Sequence, residues 1–329
     1  HLSIRRQRQM CIRDRTGTAT PGSLVHVYDG DFFLGAVYAH MTTGVWTFAV
    51  DGTSVSTYAI SGSAHTLSQG AHTLNVRAVD ANGNMGETSS FSLTVDSAVP
   101  TVSAVAITGT SGISNNTLNA GDVITVGLTL SESVTVTGSP QLTLTIGSTL
   151  VTATYDTTNS TSTLLKFKYT ILAGQTDANG ISVPANALSL NDGTIKDAAG
   201  YDLTLTTALL ADNASYMVDT TAPALSSLSI TGATGKSGVY VNAGDVVTTT
   251  VNFSEAVTVT GSPQLALNIN GTSVLAAYAS GSGTSALTFT YTILAGQNDS
   301  NGISIDANAL ALNGGAIKDA AGNNATITS

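Results

Sequence analysis

The feature that most restricts how this chain can fold is a long-range internal repeat. Asn119-Ala-Gly-Asp122-Val returns as Asn242-Ala-Gly-Asp245-Val, and Gly138-Ser-Pro140-Gln-Leu as Gly261-Ser-Pro263-Gln-Leu, each 123 residues later. Further on, Tyr169 to Gln175 matches Tyr291 to Gln297, and Ile195 to Gly200 matches Ile317 to Gly322, 122 residues later. The one-residue difference falls between Tyr155 and Phe167, where DTTNSTST faces ASGSGTS, the polar Gly/Ser-rich makeup of a hairpin tip. A period of this length exceeds that of a solenoid repeat and predicts separate domains, each with its own core.

The junctions read Val95-Asp96-Ser-Ala-Val-Pro100 and Val218-Asp219-Thr-Thr-Ala-Pro223. Proline fixes its own φ and pushes its predecessor to extended conformations, so these linkers are stiff beside a Gly/Ser tether. They divide the chain into predicted domains at 16–98, 99–221 and 222–329. Ser329 aligns with Thr207 of the middle copy, so a segment equivalent to 208–218, with a predicted closing strand at Ser215 to Val218, is expected beyond the last copy, and the array is read as a piece of a longer one.

Strand patterning runs throughout. Val123 to Leu130, Leu142 to Ile146, Leu165 to Tyr169 and Leu287 to Tyr291 largely alternate apolar with Thr, Gly or Lys, the period of two of half-buried antiparallel strands, and no segment sustains helical periodicity. The first domain reads as five strands, Leu24 to Tyr28, Phe32 to His40, Val45 to Val50, Ala71 to Val79 and Phe91 to Val95, and as lacking its first strand. Turns are predicted at Asn82-Gly83, Asn179-Gly180, Asp192-Gly193 and Ser280-Gly281.

Residues 1–15 break this pattern. They hold five of the eleven basic residues and the only Cys, and QMCIRDR resembles a string of translated sequencing-adapter fusions, so the segment is read as a non-native artefact outside the fold. The remaining body has six basic and twenty acidic residues and no cysteine, which leaves no thiolate metal site, disulfide or thiol nucleophile. A net charge of −10 argues against nucleic acid as a partner, and no run approaches the roughly 18 apolar residues of a membrane span, so membrane insertion is not expected.

The strings PGSLVHVYDGDFFLGAVYAHMTTGVWTFAV, GAHTLNVRAVDANGN and FSLTVD resemble a bacterial Ig-like repeat. The later copies, with GDV, SPQL, YTILAGQ, IKDAAG and VDTTAP, resemble tandem Ig-like repeats of very large surface adhesins of the biofilm-associated and RTX-adhesin kind. The resemblance covers essentially all of 16–329 and implies an all-β fold of tandem immunoglobulin-like β-sandwich domains, beads on a string. It also implies a role as an extracellular stalk at the bacterial cell surface, often stiffened by calcium, that carries a separate adhesive tip. The partners of each repeat would then be its neighbours in the same chain.

The candidate chemistry is Ca²⁺ binding, because carboxylates in loops with Asn and Gly supply the oxygen ligands a hard cation prefers. If the first strand of a sandwich leaves the linker end and the second returns to it, Glu132 lies beside Asp96, and Glu255 beside Asp219. A loop before the final strand adds Asp197 to the first junction and Asp319 to the second if the strand count between is right. In the first domain Asp29, Asp31, Asp80, Asn82 and Asn84 form a third candidate set. The family resemblance supports the DANGN and DAAG loops as ligand positions, with Tyr201 standing where the other copy has Asn323. The alternative for each Asp is ordinary turn capping.

No catalytic constellation is visible. HExxH, CxxC, G-x-S-x-G and Walker spacings are absent, Gly109 to Gly112 reads as a turn, and the histidines His26, His40, His65 and His72 show no ligand spacing. Trp46, Phe48, Tyr155, Phe167, Tyr169, Tyr278, Phe289 and Tyr291 fall on alternating strands and read as core. The expectation is a non-enzymatic spacer, with a glycan- or protein-binding module, or spacer domains of a secreted enzyme, as alternatives.

Overall fold

A computed structural model describes residues 3–5, 14–49, 59–61 and 67–328. Every regular element among them is a β-strand, as the Thr/Val-rich alternation predicts. No helix among the described residues is long and apolar enough to cross a membrane. The chain clusters into two compact units, one of His1–Pro100 with Lys196–Leu203, the other of Thr101–Ile195 with Thr204–Ser329.

In the first unit a five-stranded antiparallel sheet runs in the order Ala59–Ser61, Phe32–Tyr38, Leu24–Asp29, Gly70–Val79, Met85–Val95. A second sheet joins Ser3–Arg5, Asp14–Thr18 and Val45–Ala49. Residues of 1–15, read from the sequence as outside the fold, take part in this sheet at two places: Ser3 pairs with Thr18 and Arg5 with Thr16, and Asp14 pairs with Ala49 and Arg15 with Phe48. The Arg15 guanidinium also lies 5.2 Å from the Phe91 ring centre, a cation–π distance. A five-residue strand, Asp-Arg-Thr-Gly-Thr, with no apolar side chain has no alternation to read, so tertiary pairing decided it. Trp46, Val25, Val27, Val37, Leu74 and Val76 fill the core between the sheets. Val50 and His65 lie outside the described residues.

The second unit holds both long repeats except Lys196–Leu203 of the earlier one. In the first of them an antiparallel sheet runs Leu188–Ser189, Gln141–Ile146, Thr149–Tyr155, Leu164–Thr170, Val123–Leu130, Val102–Ser111. The next repeat reproduces it as Leu310–Ala311, Gln264–Ile269, Thr272–Ser280, Thr284–Thr292, Val246–Thr260, Leu225–Ala233. Gln141–Ile146 and Gln264–Ile269 share one strict alternation, every second residue buried. Phe167 and Phe289 are fully buried at matching positions, each with a ring contact to Tyr155 or Tyr278 at 5.7 Å, so the core reading of these aromatics holds.

One device of this fold shapes the site that follows. Asn252 pairs with Ala286, but the next pair on the same two strands is Val257 with Thr284, so the Val246–Thr260 strand carries extra residues there. Such a bulge bends the strand and re-aims its side chains. Glu255 sits within it.

Candidate metal centre

The linker between the two long repeats is pinned from both sides. On the earlier side the Thr220 hydroxyl donates to the Gln175 carbonyl at 2.9 Å and accepts from the Gly174 N–H at 2.9 Å. On the later side Ser254 and Ala224 exchange hydrogen bonds, and Thr326 N–H donates to the Pro223 carbonyl. Asp219 ends the strand Met217–Asp219, and its Oδ1 accepts from the Thr221 N–H at 2.9 Å, a local turn that leaves its other oxygen available.

Around this linker three carboxylates converge. Asp219 from the linker, Glu255 from the bulge and Asp319 from the Asp-Ala-Ala-Gly loop each offer an oxygen, all within 4.8 Å of one another. Asp319 is only 6% exposed. The Glu255 carboxyl is held above its ordinary value, first by burial and then by the charges of Asp319 and Asp219. Two oxygens bound to one Ca²⁺ at about 2.3–2.6 Å cannot lie more than about 5 Å apart, and the donors here are all oxygen. The set therefore fits a hard divalent cation, which would relieve the repulsion that Glu255 feels.

Asn323 organises the loop. Its N–H and side-chain amide both donate to Asp319, at 2.8 Å each, and the same amide nitrogen donates to the main-chain carbonyl of Asp219 at 2.9 Å. The family resemblance implies a ligand position in this loop; the Asn323 amide nitrogen acts as a donor toward Asp319 and the linker. The preceding repeat also reaches this loop: Asn115 donates to the Ala320 carbonyl at 2.9 Å and Asn119 to the Ala321 carbonyl at 3.0 Å. Sequence reasoning missed these two asparagines; the recurrence of Asn-Ala-Gly-Asp was a signal for Asn119 alone. The aspartates of that motif are turn residues, with Asp122 and Asp245 accepting from the N–H of Asn119 and Asn242.

Of the other predicted trio, Asp96 and Asp197 belong to the first unit and bring carboxylate oxygens within 4.8 Å of each other, whereas Glu132 belongs to the second unit. Asp96 accepts from Gln69 and the Ala98 N–H. Asp197 is 6% exposed, and its Oδ1 accepts from the Gly200 and Tyr201 N–H groups at 2.7 and 2.9 Å. Its Oδ2 is buried with no hydrogen-bond partner among the described residues. Tyr201 has no amide to offer where Asn323 serves Asp319.

The third candidate set is divided by the sheet register. Leu24 pairs with Val79 and Asp29 with Leu74, which places the Asp29–Asp31 turn and the Asp80–Asn84 turn at opposite ends of the strand pair. Asp80 is satisfied within its own turn, first by the Asn84 side-chain amide, then by the Asn84 N–H and less by the Asn82 N–H, which holds its carboxyl below the usual range. Asp29 instead accepts from His72 Nδ1 at 2.6 Å, and Asp31 is exposed. Sequence proximity within each turn was legible; the strand length between the turns was not converted into a separation.

No family model and no curated protein matches the chain. Among solved structures it is similar to a chain from work on host cell surface retention of a 1.5-MDa bacterial ice-binding adhesin, with 17% identity over 85% of this chain and 79% of that one and a TM-score of 0.38. It is also similar to the fibronectin(III)-like modules of Clostridium thermocellum CbhA, with 13% identity, 67% and 94% coverage and a TM-score of 0.23. A third is the central fibronectin-III array of RIM-binding protein, with 14% identity, 99% and 93% coverage and a TM-score of 0.19.

Proposed function

We propose that this chain is a spacer segment of an extracellular bacterial surface adhesin, built of tandem Ig-like domains with boundaries near 98 and 221, and that Ca²⁺ tightens the junction around Asp219. The observation that carries the reading is the convergence of a linker, a strand and a loop carboxylate from three separate stretches of sequence on one short linker. The motif resemblance of the two long repeats supports the adhesin setting. The Asn115, Asn119, Thr220 and Asn323 bonds support a junction whose two sides are already coupled before any ion is added.

Each residue has a stated part. Asp219, Glu255 and Asp319 would hold the ion, Asn323 orients Asp319 against the linker, and Pro223 limits the linker's reach. The ion supplies positive charge between three carboxylates and so removes the repulsion that opposes closing the junction. At calcium about tenfold above its Kd the gain is about 1.4 kcal/mol, within the range of weak extracellular modules.

Calorimetric titration of the chain with Ca²⁺, paired with proteolysis of the 219–223 linker, tests this. The expectation is heat of binding that disappears in Asp319→Asn, and slower linker cleavage in calcium. Absence of binding at millimolar calcium would reduce the three acids to turn and surface chemistry and leave a proline-stiffened spacer.

A further inference from the structure

The five-stranded sheet of the first unit buries one face. Val25, Val27, Leu34, Val37, Leu74 and Val76 point into the core, so the residues that alternate with them point away from it. On that outer face His26, Tyr28, Phe33 and Arg77 come together through strand register. Tyr28 pairs with Phe33 on one side and Asn75 on the other, and His26 pairs with Arg77. A register shift between Val27 and Tyr28 sets Phe33 opposite Tyr28, where an unshifted pairing would set the buried Leu34. The ring centres of Tyr28 and Phe33 lie 5.3 Å apart and those of His26 and Phe33 5.2 Å, both edge to face. Arg77 holds its guanidinium 5.9 Å from the Tyr28 ring centre, a cation–π distance. Its Nε donates to the Thr88 hydroxyl at 2.8 Å, and its Nη1 reaches the Met85 sulfur at 3.9 Å.

Two features set this face apart from an ordinary wet sheet surface. Phe33 is 41% exposed, although the neighbouring strands fill the same face with Asn75, Thr88 and Ser90. A cross-strand aromatic pair stabilises a sheet through its edge-to-face contact, which leaves part of the Phe33 ring turned to water. The second feature is charge. Arg77 is the only Lys or Arg in 16–100, it is exposed, and among the described residues no carboxylate pairs with it. The acids of this unit are placed elsewhere. Asp29 is held by His72 and Asp80 lies within its own turn, while Asp31 sits in the turn that ends the strand pair. Glu87 lines a separate recess with Ala19 and Ala78.

We propose that this outer face binds an acidic polysaccharide through a hexuronate unit, with the C–H face of the sugar against Phe33 and its carboxylate on the Arg77 guanidinium. Charge complementarity selects the anion. A guanidinium has five N–H donors in a planar fork, and Thr88 takes only one of them, so the fork keeps donors for a carboxylate. The exposed ring selects the sugar. A pyranose carries polarised C–H groups on one face, which suit the negative face of an aromatic ring, and hydroxyls around its rim, which suit the Asn75 and Ser90 border. A protein partner calls for a wider apolar centre than a row of rings bordered by Asn75, Thr88 and Ser90. A bare inorganic anion would use Arg77 and leave Phe33 without a role. The face belongs to the first unit alone, so the proposal stands apart from the ion at the Asp219 junction.

The test titrates the full chain in EDTA with soluble polygalacturonate, its methyl-esterified form and neutral dextran, read by calorimetry and by NMR of the His26 ring protons. EDTA removes any cation that could bridge two carboxylates. Expected is binding of the free acid at least about tenfold tighter than of the ester or dextran, with movement of the His26 signals. Arg77→Gln and Phe33→Ser are each expected to weaken it at least about tenfold, and Arg77→Lys, which keeps the charge without the fork, by less. Both side chains are exposed, so the variants are expected to keep the parent melting temperature; if Phe33→Ser lowers it, Arg77→Gln decides. No binding of the free acid, equal binding of the ester, or binding unchanged in Arg77→Gln overturns the proposal. So does a parent chain that is dimeric in solution and monomeric as Phe33→Ser, since the occupant would then be a second copy.

Discussion

Asn323 donates its side-chain amide to the main-chain carbonyl of Asp219 at 2.9 Å, across 104 residues of sequence, and the same nitrogen holds the Asp319 carboxylate at 2.8 Å. One amide thus ties a linker to the loop that faces it. Replacing Asn323 with Ala leaves a partly buried carbonyl and a buried carboxylate short of a donor. The expected cost is about 1–3 kcal/mol in denaturant unfolding of the repeat that contains it. Asn323→Tyr, which copies Tyr201 of the other repeat, is expected to cost a similar amount and recover nothing.

Glu255 gives a pH signature. Its carboxyl ionises above the ordinary 4.5 in the folded chain, by burial and by Asp319 and Asp219, so without a cation its contribution is greatest below 4.5 and is lost as pH rises through the raised value. Glu255→Gln is therefore expected to raise the melting temperature at neutral pH without calcium and to flatten that pH slope. In calcium the order reverses, with the parent chain gaining more than the variant. Melting curves at several pH values with and without the ion separate these outcomes.

His72 carries a dependence of the same sign in a higher pH window. Its Nε2 reaches the Ser68 carbonyl at 2.8 Å and its Nδ1 the Asp29 carboxylate at 2.6 Å, so both ring nitrogens face acceptors and the doubly protonated ring satisfies both. The imidazole titrates above 6.5, the carbonyl contributing most and Asp29 next. Its contribution is full below 6.5 and is lost as pH rises through the raised value. Asp29→Asn is expected to narrow the shift without abolishing it, as read by NMR titration of the ring protons.

At the hairpin tip of the earlier long repeat, Lys168 pairs with Asp156 at 2.7 Å and Asn159 adds a second donor, bringing the Asp156 carboxyl down to about 2. That contribution is full above 3.8 and is lost as pH falls through about 2. Lys168→Met is expected to move the acid unfolding midpoint upward, while the later repeat, whose tip has Ala279 in place of Asp156, stays unaffected.

Phe289 is fully buried in the later repeat and meets Tyr278 at 5.7 Å. Phe289→Ala is expected to cost about 3–5 kcal/mol, the range for deleting a large aromatic from a packed core. The equivalent Phe167→Ala is expected to cost as much in its own repeat, and differential scanning calorimetry would show which transition each variant lowers.

The sequence by itself determined the β-class, the duplication and the places where the chain turns. Those properties are local: alternation fixes which face of Gln141–Ile146 is buried, and the one-residue length difference must fall where no partner is crowded. It also put Glu255 beside Asp219, because the order of the first two strands fixes which end of the sheet meets the linker, and left Asp319 conditional on the strand count that the structure supplied. Only the tertiary structure decided the rest. The strand Asp14–Thr18 exists through its pairing with Val45–Ala49, and no pattern of its own announces it. Asp29 and Asp80 part company because five strand steps lie between their turns, a distance set by register. That the Asn323 amide donates to Asp319 while Asp197 Oδ2 is buried without a hydrogen-bond partner among the described residues is a matter of side-chain direction, which depends on what packs nearby and is not written in the residue's type.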